Sequence, residues 1–130
     1  MRRRWERIAF VYATNSWTKN TYTGNSTGAL TGSHTFYVSY VGSIVNITWQ
    51  AHTGTCTASK ITFNTQISAS YRPSSSLYFY CHGQNAGATE TVILEIQSDG
   101  DIIVGATKSN SNFTAGTGGI YAGSVSYRIF

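Results

Sequence analysis

The chain has 130 residues, of which 41% are hydrophobic and only 11% charged. This length predicts one domain, spanning residues 1–130, with room for a real core. The formal net charge is +4. Arg2, Arg3, Arg4 and Arg7 against Glu6 place most of it in a basic N-terminal stub, residues 1–7, so the body lacks the basic face that nucleic-acid binding needs. No apolar run is long enough to insert into a membrane, and Trp5-Glu6-Arg7 interrupts any secretory-signal core. With 16 Ser, 18 Thr, 13 Gly and one Pro, the composition favours pleated β-surfaces over helices.

In chain order, Ile8, Phe10 and Tyr12 alternate at period two and predict a first strand. Residues 15–33, rich in Thr, Ser, Asn and Gly, read as a long loop carrying Trp17 and Tyr22. Phe36, Val38 and Tyr40 predict a strand, with a turn at Val41-Gly42-Ser43. Val45, Ile47, Trp49 and Ala51 then alternate with Ile44, Asn46, Thr48 and Gln50. Ile61, Phe63, Thr65 and Ile67 predict another strand. Pro73 stops the pairing beyond it, because proline cannot donate to a ladder.

Leu77, Phe79 and Cys81 face one way, and Tyr78, Tyr80 and His82 the other. Val92, Leu94 and Ile96 oppose Ile93, Glu95 and Gln97, and Ser98-Asp99-Gly100-Asp101 is a hairpin signal. Residues 106–119 read as a second long loop, carrying Asn110 and Asn112. Tyr121, Val125, Tyr127 and Ile129 close the chain, opposite Ile120, Ala122, Ser124, Ser126 and Arg128. The sum is an all-β class: an antiparallel β-sandwich of about eight strands with no significant helix.

Catalytic vocabulary is sparse. The acidic residues are Glu6, Glu90, Glu95, Asp99 and Asp101. Glu90 and Glu95 would point to opposite faces of one strand, and the two aspartates flank a turn glycine, so no facing carboxylate pair is expected. Glu90, Glu95, Asp99 and Asp101 read as solvated turn or strand-edge polarity. His34, His52 and His82 fit no metal or nucleophile spacing, so neither catalysis nor a cofactor nor a metal site is expected. A histidine on a three-fold axis would be the one route to an ion. Cys56 and Cys81 allow at most one disulfide, and two buried thiols suit separate strands better.

What remains is surface chemistry. Aromatic planes among short polar groups suit the apolar face and hydroxyls of a sugar. The candidate ligand-binding residues are Trp17, Tyr22, Tyr78, Tyr80, His82, Asn110 and Asn112. A tyrosine row on an outer strand face also suits a subunit interface, and for Tyr78 and Tyr80 that is the favoured reading.

Five ordered pieces carry a resemblance: Tyr71-Arg72-Pro73, Leu77-Tyr78-Phe79, Val92 to Ile96, Asp99 to Ile103, and Tyr121 through Ser126-Tyr127-Arg128-Ile129. Together they resemble the C-terminal head of tailed-phage tail fibres and receptor-binding proteins, over residues 68–130. The resemblance implies a jelly-roll-like head, similar to tumour-necrosis-factor and C1q heads, assembled as a homotrimer. It would sit at a virion's fibre or spike tip, outside the cell, and bind a saccharide or protein of the host surface, with no binding residue carried over. Such fibres have a long shaft before the head. A chain starting at Met1-Arg2-Arg3-Arg4 is therefore expected to be a fragment, or a free-standing spike or other virion component. The alternatives are a purely structural capsid or tail subunit, and a stand-alone lectin-like module.

Overall fold

Strand-forming sequence dominates the whole described chain. The structure, a computed structural model, describes residues 18–64 and 66–129, with side chains from Ser26 onward. The expected strand through Ile8, Phe10 and Tyr12 lies outside the described residues, as does Trp17. The strands are β1 (Thr18–Gly28), β2 (Gly32–Val41), β3 (Ile44–Trp49), β4 (His52–Cys56), β5 (Ile61–Phe63), β6 (Leu77–Asn85), β7 (Ala88–Ile96), β8 (Ile102–Gly105), β9 (Gly116–Ile120) and β10 (Gly123–Arg128). One 3-10 turn, Ala69–Tyr71, precedes the extended Arg72 and the buried Pro73. No described helix is long and apolar enough to cross a membrane.

The all-β antiparallel class is as expected, with ten described strands rather than about eight. The described strands form one antiparallel sheet of ten, in the order β10-β3-β2-β1-β5-β8-β7-β6-β9-β4. Its two ends are a single bent ribbon. Trp49 of β3 lies opposite Gly123 of β10, and His52 of β4 lies opposite Ile120 of β9. Both strands therefore advance three residues through the bend with no slip of register. The Trp49 indole Nε1–H donates to the Tyr121 carbonyl at 2.8 Å and ties the corner. The sheet thus curls back on itself around one core. Phe36, Val38, Ile47, Trp49, Ile61, Phe63, Val92, Leu94, Ile96, Ile102, Val104 and Ile120 all fill that core.

The first expected long loop is corrected, and the second holds only through Ala115. Most of residues 15–33 is β1, paired with β2 from Thr18↔Tyr40 to Ser26↔Gly32. Its sequence lacks an apolar alternation because β1 is held between β2 and β5 rather than by its own side-chain pattern. Within 106–119 lies β9, whose Gly-Thr-Gly-Gly run reads as a breaker. Packing explains it: Gly119 has φ +133°, and a Cβ there would come 2.1 Å from the His52 carbonyl oxygen. Only glycine suits that backbone and that approach.

The remaining differences are local. The strand expected to run through Ala51 stops at Trp49, and β4 begins at His52. The strand expected through Ile67 ends at Phe63. Ile120 is buried, not outward, because the bend at Tyr121-Ala122 resets the alternation. The hairpin at Ser98–Asp101 forms as expected, with Gly100 at φ +92° and Asp99 Oδ1 accepting from the Asp101 N–H at 3.0 Å. Cys56 and Cys81 are free thiols, the first buried and the second half-buried.

Candidate functional site

β6 pairs with β7 along its whole length, and this register carries the outer face of the site. Tyr80 lies opposite Ile93, and Ile93 opposite Gly105 of β8. Tyr78 lies opposite Glu95, and Glu95 opposite Ile103. Val92, Leu94 and Ile96 point into the core, so Tyr78, Tyr80 and Ile93 share the outward face. Tyr78 is 60% and Tyr80 75% exposed. Ile93, expected on the wet face, is only 5% exposed. Glu95 is likewise buried rather than solvated, accepting from Gln97 Nε2 at 2.6 Å.

The cover over Ile93 is the turn that follows β8. Ala106 and Ser111 exchange backbone bonds of 2.8 and 2.9 Å, and Asn110 N–H donates to the Thr107 carbonyl at 3.1 Å. Ser111 Oγ donates to the Ala106 carbonyl at 3.0 Å, and its hydroxyl lies 3.0 Å from that of Thr107. Asn110 takes the left-handed conformation at φ +54°, which asparagine tolerates better than most residues. Its Oδ1 lies against Gly105, where a Cβ would stand 2.0 Å away. The turn therefore folds back over β8 and leaves a hollow of about 230 Å³. Tyr78, Phe79, Tyr80, Ile93, Lys108, Ser109 and Asn110 line it. Its chemistry is an apolar floor, an aromatic wall and a polar lip with one cation.

A Gly105→Ala substitution tests that arrangement. The added methyl must displace Asn110, so the lip should move off Ile93. Amide shifts confined to residues 105–111 are expected. An unchanged spectrum at Asn110 would contradict the arrangement.

A second hollow, of about 340 Å³, lies on the other flank of Tyr80. It runs between β6 and the ribbon corner, lined by residues including Trp49, Cys81, His82, Tyr121 and Val125. There β9 pairs with only Gly83 and Gln84 of β6, so among the described residues Leu77–Cys81 have no strand on that side. Burial pushes the Cys81 thiol up to about 11, which keeps it neutral at ordinary pH.

The expected site residues divide accordingly. Tyr78, Tyr80 and Asn110 come together in the first hollow, and His82 faces the second. Asn112 is exposed and lines neither. Tyr22 is placed in a strand opposite Phe36, not in a loop. Lys108, Ser109 and Ile93 were missed: a polar turn and a regular strand residue give no sequence signal until the turn is seen to fold onto the strand. Also missed was a contact between His34 and His52, 18 residues apart, whose Nδ1 atoms lie 2.9 Å from each other.

The sequence matches no protein-family model and no curated protein. The fold has a solved counterpart. It is similar to the reovirus attachment protein sigma1, solved in complex with alpha-2,3-sialyllactose, at a TM-score of 0.55 and 14% identity. The match covers 87% of this chain and 66% of that one. At that identity the likeness speaks for the fold alone. The chain spans just under two thirds of the length of that structure's chain.

Proposed function

We propose that this chain is the receptor-binding head of a viral attachment protein. In this reading it works as a homotrimer at the virion surface, and the Tyr78–Tyr80 ledge holds a saccharide of the host cell. The observation that carries the reading is the pairing of two exposed tyrosine rings with a turn-built polar lip over a buried isoleucine, on a fold shared with a viral attachment protein. A ring can cover the apolar face of a pyranose while Ser109 and Asn110 bond its hydroxyls. Lys108 at the lip would favour an acidic sugar over a neutral one. The role is adhesion, with no catalytic step assigned. Weak single sites would gain strength from three copies. The sequence resemblance of residues 68–130 to tail-fibre heads makes a tailed phage the proposed source and a bacterium the proposed host.

One observation favours a second reading. The open side of Leu77–Cys81 presents unpaired strand edge beside the same tyrosines, which suits a subunit contact. Light scattering together with binding assays separates the two. The expected result is a particle three times the 14.2 kDa chain mass that retains bacterial cells or array-bound glycans through Tyr78 and Tyr80. A monomer would sink the trimer. A trimer that binds no cell and no glycan would leave a structural virion subunit.

A further inference from the structure

His34 of β2 and His52 of β4 meet across the interior at one end of the core. Their ring centroids are 4.4 Å apart, and both rings pack on Phe63. His52 is 5% exposed, and both Nε2 atoms are buried without a hydrogen-bond partner. The 2.9 Å contact joins Nδ1 to Nδ1, so one ring donates there and the other accepts. The neutral pair then holds two N–H protons: one between the rings, and one on Nε2 of the accepting ring. The donating ring keeps a bare Nε2.

A first added proton has a free seat on that bare Nε2, and the shared bond survives. A second has only the accepting Nδ1, whose lone pair makes the bond. It breaks the bond and sets two N–H groups and two positive charges face to face. Among the described residues, the backbone carbonyls of Thr35 and Ala51 offset only part of the charge. The rings' other neighbours are Phe36 and Phe63, and β1 faces His34 with Gly24 between Thr23 and Asn25. β9 faces His52 with Ile120. The adjoining hollow is lined by Ser33, Thr35, Tyr37, Gln50 and Ala51, with no carboxylate. Among its described lining residues, Tyr37 is the one other titratable group.

We infer that the His34–His52 pair is an acid-operated latch, whose second protonation releases the β4–β9 ribbon from β2. The ribbon is lightly attached. β4 is the last strand of the sheet and pairs with β9, while β9 pairs with β6 only at Gly83 and Gln84, with flanking bonds from Tyr121 N–H to the His82 carbonyl, Gly87 N–H to the Thr117 carbonyl and Thr57 N–H to the Ala29 carbonyl. Its corner at Tyr121 and Ala122 walls the hollow beside Tyr80 and His82, so release would reshape that flank. The direction of titration agrees. Burial first, and then the charge of His34, pull His52 down to about 4, against carbonyls of Thr35 and Ala51 that favour protonation. Burial also lowers His34. A histidine lowered on closing stabilises the closed form fully above its ordinary value near 6.5, and loses that contribution as pH falls toward 4. For one proton the loss reaches about a hundredfold in the closed-to-open ratio.

The test uses the whole protein, ¹⁵N-labelled, in two-bond ¹H–¹⁵N histidine spectra and amide exchange from pH 7.5 to 3.5. One Nδ1–H and one Nε2–H ring are expected at pH 7.5. On acidification the first proton should enter with β4 still protected. The second should coincide with a loss of about tenfold or more in protection of residues 53–55 and 116–119, while Val92–Ile96 stay protected. Equal protection of β4 and β7 down to pH 3.5, or loss of all strands together, would overturn the latch. His52→Phe, which extends the aromatic cluster, should move the opening at least one pH unit lower. An opening at the wild-type pH in that variant would also overturn it. The wild-type spectra decide the matter if the variant does not fold.

Discussion

Tyr80→Ala is expected to weaken saccharide binding by about tenfold or more while leaving the fold intact. The side chain is 75% exposed and makes no hydrogen bond among those described, so its loss should change stability by less than about 0.5 kcal/mol. Yet Tyr80 walls both hollows, on either side of β6. Removing it opens the aromatic face of the first hollow and joins it to the second. Tyr78→Ala should act in the same direction but less strongly, since Tyr78 lines only the first. Binding to a glycan array, with circular dichroism to check the fold, measures both. If Tyr80→Ala instead changes the particle mass and leaves binding alone, the tyrosines belong to a subunit contact.

Gly119→Ala is expected to destabilise the protein by about 3 kcal/mol or more. The methyl would stand 2.1 Å from the His52 carbonyl oxygen and 2.8 Å from Thr53 Cα, both backbone atoms that cannot swing away. The residue would also be strained at φ +133°. Gly42→Ala supplies the control. Gly42 has φ +57° but nothing within 4 Å of its Cβ position, so only conformational strain remains, at about 1 kcal/mol. Urea midpoints of the two variants measure the difference. Equal losses would mean that β9 does not pack on β4 as closely as described.

Strands with bulky alternation were legible in the sequence. Phe36-x-Val38, Val45-x-Ile47-x-Trp49, Val92-x-Leu94-x-Ile96 and Val125-x-Tyr127 all bury the residues that their period predicts. The hairpin at Gly100 and the outward tyrosines of β6 were legible for the same local reason. β1, β4 and β9 were not, because their order comes from neighbours. β1 lies between two strands, β4 follows a bend, and β9 uses glycine to approach His52 and Thr53. The single curled sheet also escaped a period-two reading, which registers faces but not which strand runs on through a corner.

The site divides the same way. Tyr78, Tyr80 and Asn110 carry chemistry that is visible residue by residue. The floor at Ile93 depends on where a six-residue turn, Ala106 to Ser111, lands, and Gly105 decides that through the space it leaves for Asn110. The His34–His52 contact spans two strands that are not adjacent in the sheet, so no local spacing announces it.

The most direct measurement of the ledge as a binding site is an aromatic ¹H–¹³C spectrum of tyrosine-labelled protein, titrated with 3′-sialyllactose and, separately, with lactose. The expected result is that the Tyr78 and Tyr80 ring signals shift, more strongly with the acidic sugar because of Lys108, while Tyr37 stays fixed. A spectrum in which saccharides retained on a glycan array move other tyrosines, and leave Tyr78 and Tyr80 unmoved, would contradict it.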